Sequence, residues 1–433
     1  MTTEESVRKY LSEIEKNDKK GKKINAFLQL NDNVIEDAKK VDEKIKKGKA
    51  GRLAGKVIGI KAVFNVKGMN SSCASRVLEN YTAGYDAAAV EKIKKEDGVI
   101  IGMLNCDEFA CGATGETSAF GATRNPVNPE LVAGGSSSGS AAAVAAGFCD
   151  MALASDTGGS IRMPSSHCGV VGIKPSYGLV SRYGLIDLAM SFDSVGPIAG
   201  NVNDAVLLLD VIRGRDERDA TSFESKPIKT EKLGKIKIGF PDVTISDKRI
   251  SELISKKVNG LAAKNNFSVE KIKLNYMDLG IQTYYPIVYV EFFSGTRKFD
   301  GRRFGKKIEE NCGPEVLRRI LGGSEISKAE FKGLYYRRAL KAKKMIKEEF
   351  EKAFKKVDCI ILPTSPRLPH KIGSKISVED NYYYDLLTVL ANIAGIPAIS
   401  IPAGKIDGIP VGMQIICPTL QESKMISIAK EFE

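Results

Sequence analysis

The sequence predicts an α/β protein built as one large domain over residues 1–433, with a mixed, mostly parallel central sheet covered by helices on both faces. Helical and strand-like segments alternate along the chain. The strand-like segments are continuously apolar, the pattern of strands buried on both sides. No linker, internal repeat or low-complexity tract divides the chain. Its 433 residues could hold two or three average domains, but with 43 % hydrophobic residues it can bury one large core.

The elements follow in order. Amphipathic helix material covers residues 4–17 and 32–47, joined by apolar Ile24-Asn-Ala-Phe-Leu28. A glycine-punctuated strand, Val57-Ile-Gly-Ile-Lys61, comes next. Residues 85–97 read as a helix and 98–104 as a buried strand. The small-residue run 141–147 fits one short, tightly packed helix, and 151–155 a buried strand ending in Asp156. A helix over 202–212 and a strand over 235–240 continue the alternation. Residues 226–235 are the best surface connection, with no domain boundary placed there.

Composition narrows the class. Eight cysteines are scattered without C-x-x-C pairs, and Cys106-x4-Cys111 has no histidine cluster near it. Reduced thiols are therefore expected, not a disulfide frame or a metal site. No run of about 18 apolar residues occurs, and the start has no apolar signal segment, so a soluble cytoplasmic protein is expected, with no membrane partner. The net charge of +12 suits contact with nucleic acid. Many lysines, however, lie beside glutamates at helical spacing, as in 341–356, which reads as solvated helix face. Direct nucleic-acid recognition by this chain is the lesser reading.

Chemistry concentrates in 134–175. Gly134-Gly135-Ser136 and Gly158-Gly159-Ser160 each present a serine from a glycine turn. Phosphate cradling is disfavoured, because Gly134-x-x-x-x-Gly139-Ser140 lacks the P-loop lysine and a preceding strand. A nucleophile elbow at Gly135-Ser-Ser-Ser-Gly139 lacks its strand, since Asn125-Pro-Val-Asn-Pro129 is turn material. It also needs a histidine base. The chain has two histidines: His167 follows Ser160 closely, and His370, in Leu368-Pro-His370-Lys, is expected at the surface. A lysine can replace histidine if burial keeps its amine neutral. Lys61 is the one lysine in a strongly apolar setting.

Gly-Gly-Ser-Ser, Ser155-Asp-Thr-Gly-Gly-Ser160-Ile-Arg162-x-Pro164 and Gly169-Val-Val-Gly-Ile-Lys-Pro175, with Lys61 upstream, resemble the amidase signature family. That resemblance implies a Ser–Ser–Lys triad and the family's fold, with a signature core over about 55–215 and the helical segment of about 1–50 packed on it. Ser160 would be the nucleophile, Ser136 the bridging serine after a cis peptide, and Lys61 the base. Backbone N–H groups around Thr157, Gly158 and Gly159 would hold the oxyanion. Two departures from the family pattern are visible: Ala62-Val63 stands where many relatives carry Asp-Asn, and Ser138 replaces a usual glycine. Asn105-Cys-Asp-Glu-Phe-Ala110 is also similar to a family segment. For Asp107 and Glu108 a loop and capping role is expected.

Lys298-Phe-Asp-Gly-Arg-Arg-Phe-Gly305, Glu315-Val-Leu-Arg-Arg-Ile-Leu-Gly322 and Asp385-Leu-Leu-Thr388 resemble one branch of the family, the glutamine-hydrolysing components of tRNA-dependent amidotransferases. By position Arg319 would clamp the α-carboxylate of glutamine, Asp385 its α-ammonium, and Tyr284 would line the pocket. Arg318 is the fallback if the register slips. The resemblance implies a heterotrimer with B and C subunits. Glutamine would supply ammonia for Glu-tRNA(Gln), Asp-tRNA(Asn) or both. ATP with magnesium would be used by one of those partners, and no cofactor or metal bound by this chain. Two other readings stay open: a free-standing amidase on small amides, and a non-catalytic structural component of a tRNA complex.

Overall fold

The computed structural model describes residues 1–265 and 267–433. Among these residues eleven strands form one sheet: β1 Phe27–Leu30, β2 Val57–Lys61, β3 Val99–Leu104, β4 Met151–Asp156, β5 Val171–Lys174, β6 Ser194–Ala199, β7 Lys237–Pro241, β8 Ser268–Ile272, β9 Cys359–Pro363, β10 Ala398–Ile406 and β11 Ile409–Ile416. Their order is β1-β3-β2-β4-β6-β5-β10-β11-β9-β7-β8. Strands from the two halves of the chain thus share a single sheet.

The sheet is mixed, but it is not mostly parallel. Parallel pairs are confined to β3–β2–β4 and β8–β7–β9, and the edge strand β1 runs antiparallel to β3. From β4 through β6, β5, β10 and β11 to β9 every pair is antiparallel. Continuous apolar strands report burial on both faces, not direction. Direction is set by the connections. No helix lies between β5 and β6, and β10–β11 is a hairpin turned at Asp407-Gly408, both with positive φ.

Most expected elements form within a few residues of their predicted ends. The first helix, Thr3–Ile14, starts at a capping box in which Thr2 Oγ1 accepts from the Glu5 N–H and Glu5 from the Thr2 N–H. A π-helical turn, Glu15–Lys19, extends it. The helices Val34–Lys46, Ala88–Lys95, Ser138–Ala145 and Val202–Ile212 match the other predictions. Ser138–Ala145 buries all but its last residue, as its small side chains permit. Among the described residues no helix is long and apolar enough to cross a membrane.

Two features position the site. β2 and β4 run parallel with Ile60 opposite Leu153, so Lys61 and Ser155–Asp156 arrive together at the carboxyl ends of both strands. That is where open α/β sheets gather ligand-binding groups. The helices Gly280–Thr296 and Pro314–Ile326 pack on each other and carry the second wall.

Candidate active site

Lys61 ends β2 with no exposed surface. Its Nζ lies 2.8 Å from Ser136 Oγ and 2.9 Å from Ser155 Oγ. No carboxylate is within ion-pair distance of it among the described residues. Burial in a site without such a counter-ion lowers its pKa below the ordinary lysine value. A neutral amine beside a serine hydroxyl can accept that hydroxyl's proton.

Ser136 follows a cis Gly135–Ser136 peptide bond. Gly135 has to be glycine, because a Cβ there would meet Asp107 Oδ2 at 1.9 Å. The Asp107 N–H donates to the Ser136 carbonyl at 3.0 Å. Its carboxylate accepts the Gly115 and Thr117 N–H groups, both at 3.0 Å, and burial raises its pKa to about 6. Asp107 binds loop backbone as expected, and the loop it binds is the one that shapes the Ser136 turn.

Ser160 reaches the same place from the other turn: the Ser137 N–H donates to the Ser160 carbonyl at 3.1 Å. Ser160 is 7 % exposed while Lys61 and Ser136 are sealed. Of the three, only Ser160 keeps exposed surface, so it is the residue a substrate can reach.

The 157–160 turn is held from three sides. Thr157 Oγ1 donates to Asp193 Oδ1 at 2.6 Å, and Asp193 Oδ2 accepts the Leu188 and Ala189 N–H groups at 3.0 and 3.1 Å. Burial raises the Asp193 pKa to about 7. Behind the turn Asp156 and Arg162 form a fully buried pair, Nη2 to Oδ1 2.9 Å. Burial pushes the Asp156 carboxyl up, but the Arg162 guanidinium outweighs it and holds the pKa below the ordinary value. Arg162 also binds Gln414 Oε1, Asn392 Oδ1 and the Thr388 carbonyl. On the open side Tyr284 covers the turn so closely that a Cβ at Gly158 would meet its hydroxyl at 2.7 Å.

Arg319 and Asp385 come to this wall. Arg319 is buried, its Nε donating to Glu315 Oε1 at 2.9 Å, which leaves its two terminal nitrogens for a ligand. Arg318 points to solvent, 42 % exposed, and pairs with the other oxygen of Glu315. Of the two arginines, Arg319 is therefore the one turned into this wall and Arg318 the one turned out. Tyr285 donates to Asp385 Oδ2 at 2.8 Å, and the Arg319 guanidinium lies 5.5 Å from the Tyr285 ring centre. Burial raises the Asp385 pKa to about 7. A cleft of about 620 Å³, bordered by Thr117, Gly313, Glu315 and Arg318, opens beside this helix.

His370 is not a surface residue. Its loop pairs with Leu131–Val132, drawing the ring inward to Tyr384 Oη (2.8 Å) and Glu116 Oε2 (2.9 Å). His167 is buried near Ser365. Neither histidine bonds Lys61, Ser136 or Ser160. Of the departures, Ala62 and Val63 are core, and Ser138 Oγ donates to Thr123 Oγ1 at 3.0 Å.

Residues 5–426 match the amidase family model. The chain belongs to the amidase family. It is 51 % identical to the A subunit of glutamyl-tRNA(Gln) amidotransferase from Methanocaldococcus jannaschii, over 99 % of this chain and 98 % of that one. It is 50 % identical to the protein of the same name from Methanothermobacter thermautotrophicus, over 100 % and 95 %. The crystal structure of the Thermotoga maritima protein of that name superposes with a TM-score of 0.84 at 36 % identity, over 100 % of this chain and 94 % of that one.

Sequence reading missed several supports of this amidase site: Ser155 on Lys61, Asp193 on Thr157, Glu315 on Arg319 and Tyr285 on Asp385. Glu315 and Arg319 sit four apart on one helix, a spacing that pairs opposite charges; the other partners are distant in the chain, and no local pattern names them. Glu108 keeps the loop and capping role expected of it. It accepts from Ser75 Oγ at 2.5 Å and from the Gly313 N–H at 2.6 Å, tying a loop to the start of the helix that carries Arg319.

Proposed function

We propose that this chain is the glutamine-hydrolysing component of a tRNA-dependent amidotransferase, working in a heterotrimer with B and C subunits. The observation that carries the chemistry is the sealed 2.8 Å contact between Lys61 Nζ and Ser136 Oγ. The buried guanidinium of Arg319 and carboxylate of Asp385 support glutamine as the amide. A planar guanidinium suits an α-carboxylate, and a carboxylate suits an α-ammonium.

Neutral Lys61 accepts the Ser136 proton as Ser136 accepts that of Ser160. The Ser160 oxygen attacks the glutamine side-chain carbonyl, and the 157–160 backbone N–H groups stabilise the oxyanion. The proton returns through Ser136 to the amide nitrogen, the C–N bond breaks, and ammonia leaves. Water, deprotonated along the same route, releases glutamate from Ser160. Ammonia passes to a partner, where ATP with magnesium activates the Glu or Asp carried on tRNA. This chain binds no cofactor or metal of its own in that scheme. Amidotransferase relatives at half identity over the whole chain support the assignment.

Ser160→Ala tests it in the assembled complex. Glutamine-dependent amidation of charged tRNA is abolished, while amidation with added ammonium salt persists. Loss of both activities, or of neither, would overturn the reading.

A further inference from the structure

Between Phe331 and Lys347 the chain carries seven lysines and arginines and no acidic residue, in a protein whose whole net charge is +12. The glutamates that would balance a solvated helix face begin only at Glu348. In the structure most of this stretch lies in the helix Leu334–Ala353. Arg337, Arg338, Lys341, Lys344 and Lys347 are all exposed. Among the described residues only Lys344 has an acidic partner, Glu348 at 3.8 Å. At 100° per residue these five fall on one side of the helix, and from Arg337 to Lys347 they span about 15 Å.

The inner face is fixed. Lys343 Nζ donates to the Ser191 carbonyl at 3.2 Å and sits 4.5 Å from the centre of the Phe192 ring. Tyr336 donates to Glu291 Oε1 at 3.0 Å. The cationic row is therefore mounted on a rigid support.

We propose that this helix face docks the phosphate backbone of a folded RNA. Charge complementarity selects the partner. Lysine is depleted at protein–protein interfaces, whereas lysine and arginine neutralise phosphates and release their counterions. Leu334, Leu340 and Met345 share the face, but the cations between them separate them into single side chains, not a patch. Tyr335, 45 % exposed, lies one turn before Arg338 and offers a ring on which a base can stack. This goes beyond the glutaminase reading, in which RNA meets the complex through a partner, and rests on it only for choosing RNA among polyanions.

The test uses the full chain and an unmodified tRNA transcript followed by fluorescence anisotropy across a salt series. A triple variant, Arg337→Glu, Arg338→Glu and Lys341→Glu, is compared with an equal charge change in the surface connection, Lys226→Glu, Lys229→Glu and Lys232→Glu. The helix variant binds at least tenfold more weakly, and its log–log salt slope is shallower by about 3. The connection variant stays within about twofold of wild type, and glutamine hydrolysis by both persists. Absence of RNA binding by the wild-type chain, or equal loss in both variants, would overturn the proposal. So would unchanged RNA affinity in a helix variant that no longer associates with its co-expressed partners, which would make the face a protein interface. Ser160→Ala keeps full RNA affinity, so failure here and failure of the glutaminase reading are separable.

Discussion

Lys61 and Ser136 meet end to end, Nζ to Oγ, 2.8 Å apart, with no surface of either residue open to water. A lysine in that setting is destabilising when charged and useful when neutral, so one side chain links stability to chemistry.

Lys61→Met should separate the two. Glutamine hydrolysis falls by about a thousandfold or more, as when a member of a catalytic unit is removed. Stability moves the other way. In the unfolded chain Lys61 titrates at its ordinary value of 10.5, and in the folded chain burial lowers it. Between the two values the unfolded state holds the extra proton, so the stability of the wild type rises with pH through that window. The variant is therefore more stable than wild type near neutral pH, and the difference shrinks toward pH 10.5. Melting temperatures at several pH values check this, and a less stable variant at pH 7 would contradict the buried neutral amine.

Asp385 predicts an acid limb in KM. Burial raises its pKa to about 7. Below that value it is protonated and cannot pair with an α-ammonium, so KM for glutamine rises as pH falls through about 7. Bound glutamine favours the carboxylate, and kcat is less affected by this group. Asp385→Asn raises KM by about 30- to 100-fold, the scale of a charge-assisted contact, and removes the limb. A limb that survives in Asp385→Asn would assign it to another residue.

Adjacent arginines give a contrast. Arg319→Lys keeps the charge but loses the planar fork, and KM for glutamine rises about 10- to 100-fold. Arg318→Gln touches an exposed member of the Glu315 pair and changes KM less than about twofold. Steady-state kinetics on the two variants decides between the registers, and a larger effect at 318 would reverse the assignment.

The two glycine turns, Lys61 in its apolar strand and the helix-strand alternation were all legible in the sequence, because each is a local pattern. Strand direction was not. The run 194–199 reads the same whether it lies parallel or antiparallel to β4, and only the helix-free return between β5 and β6 decides it. Long-range supports were equally silent. Nothing near Asp193 in the chain says that it faces Thr157, and His370 looked exposed just after Pro369 until its loop was paired with Leu131–Val132.

Asp193 anchors the 157–160 turn through Thr157. Its carboxylate takes the Thr157 hydroxyl on one oxygen and two backbone N–H groups on the other, so it fixes the entry to the turn that would carry the oxyanion donors. Those donors are worth most when the oxyanion exists, so loosening the turn should lower kcat and leave KM alone. Thr157→Val keeps the shape of the side chain and removes the donor, and kcat falls about 10- to 100-fold with KM within about twofold. Thr157→Ser restores the hydroxyl and most of the rate. Asp193→Asn can keep its oxygen on the Leu188 and Ala189 N–H groups and turn its NH2 to the Thr157 hydroxyl, which accepts as well as donates. It therefore costs less than Thr157→Val in both rate and melting temperature. A rise in KM at constant kcat in Thr157→Val would instead put this contact in substrate binding.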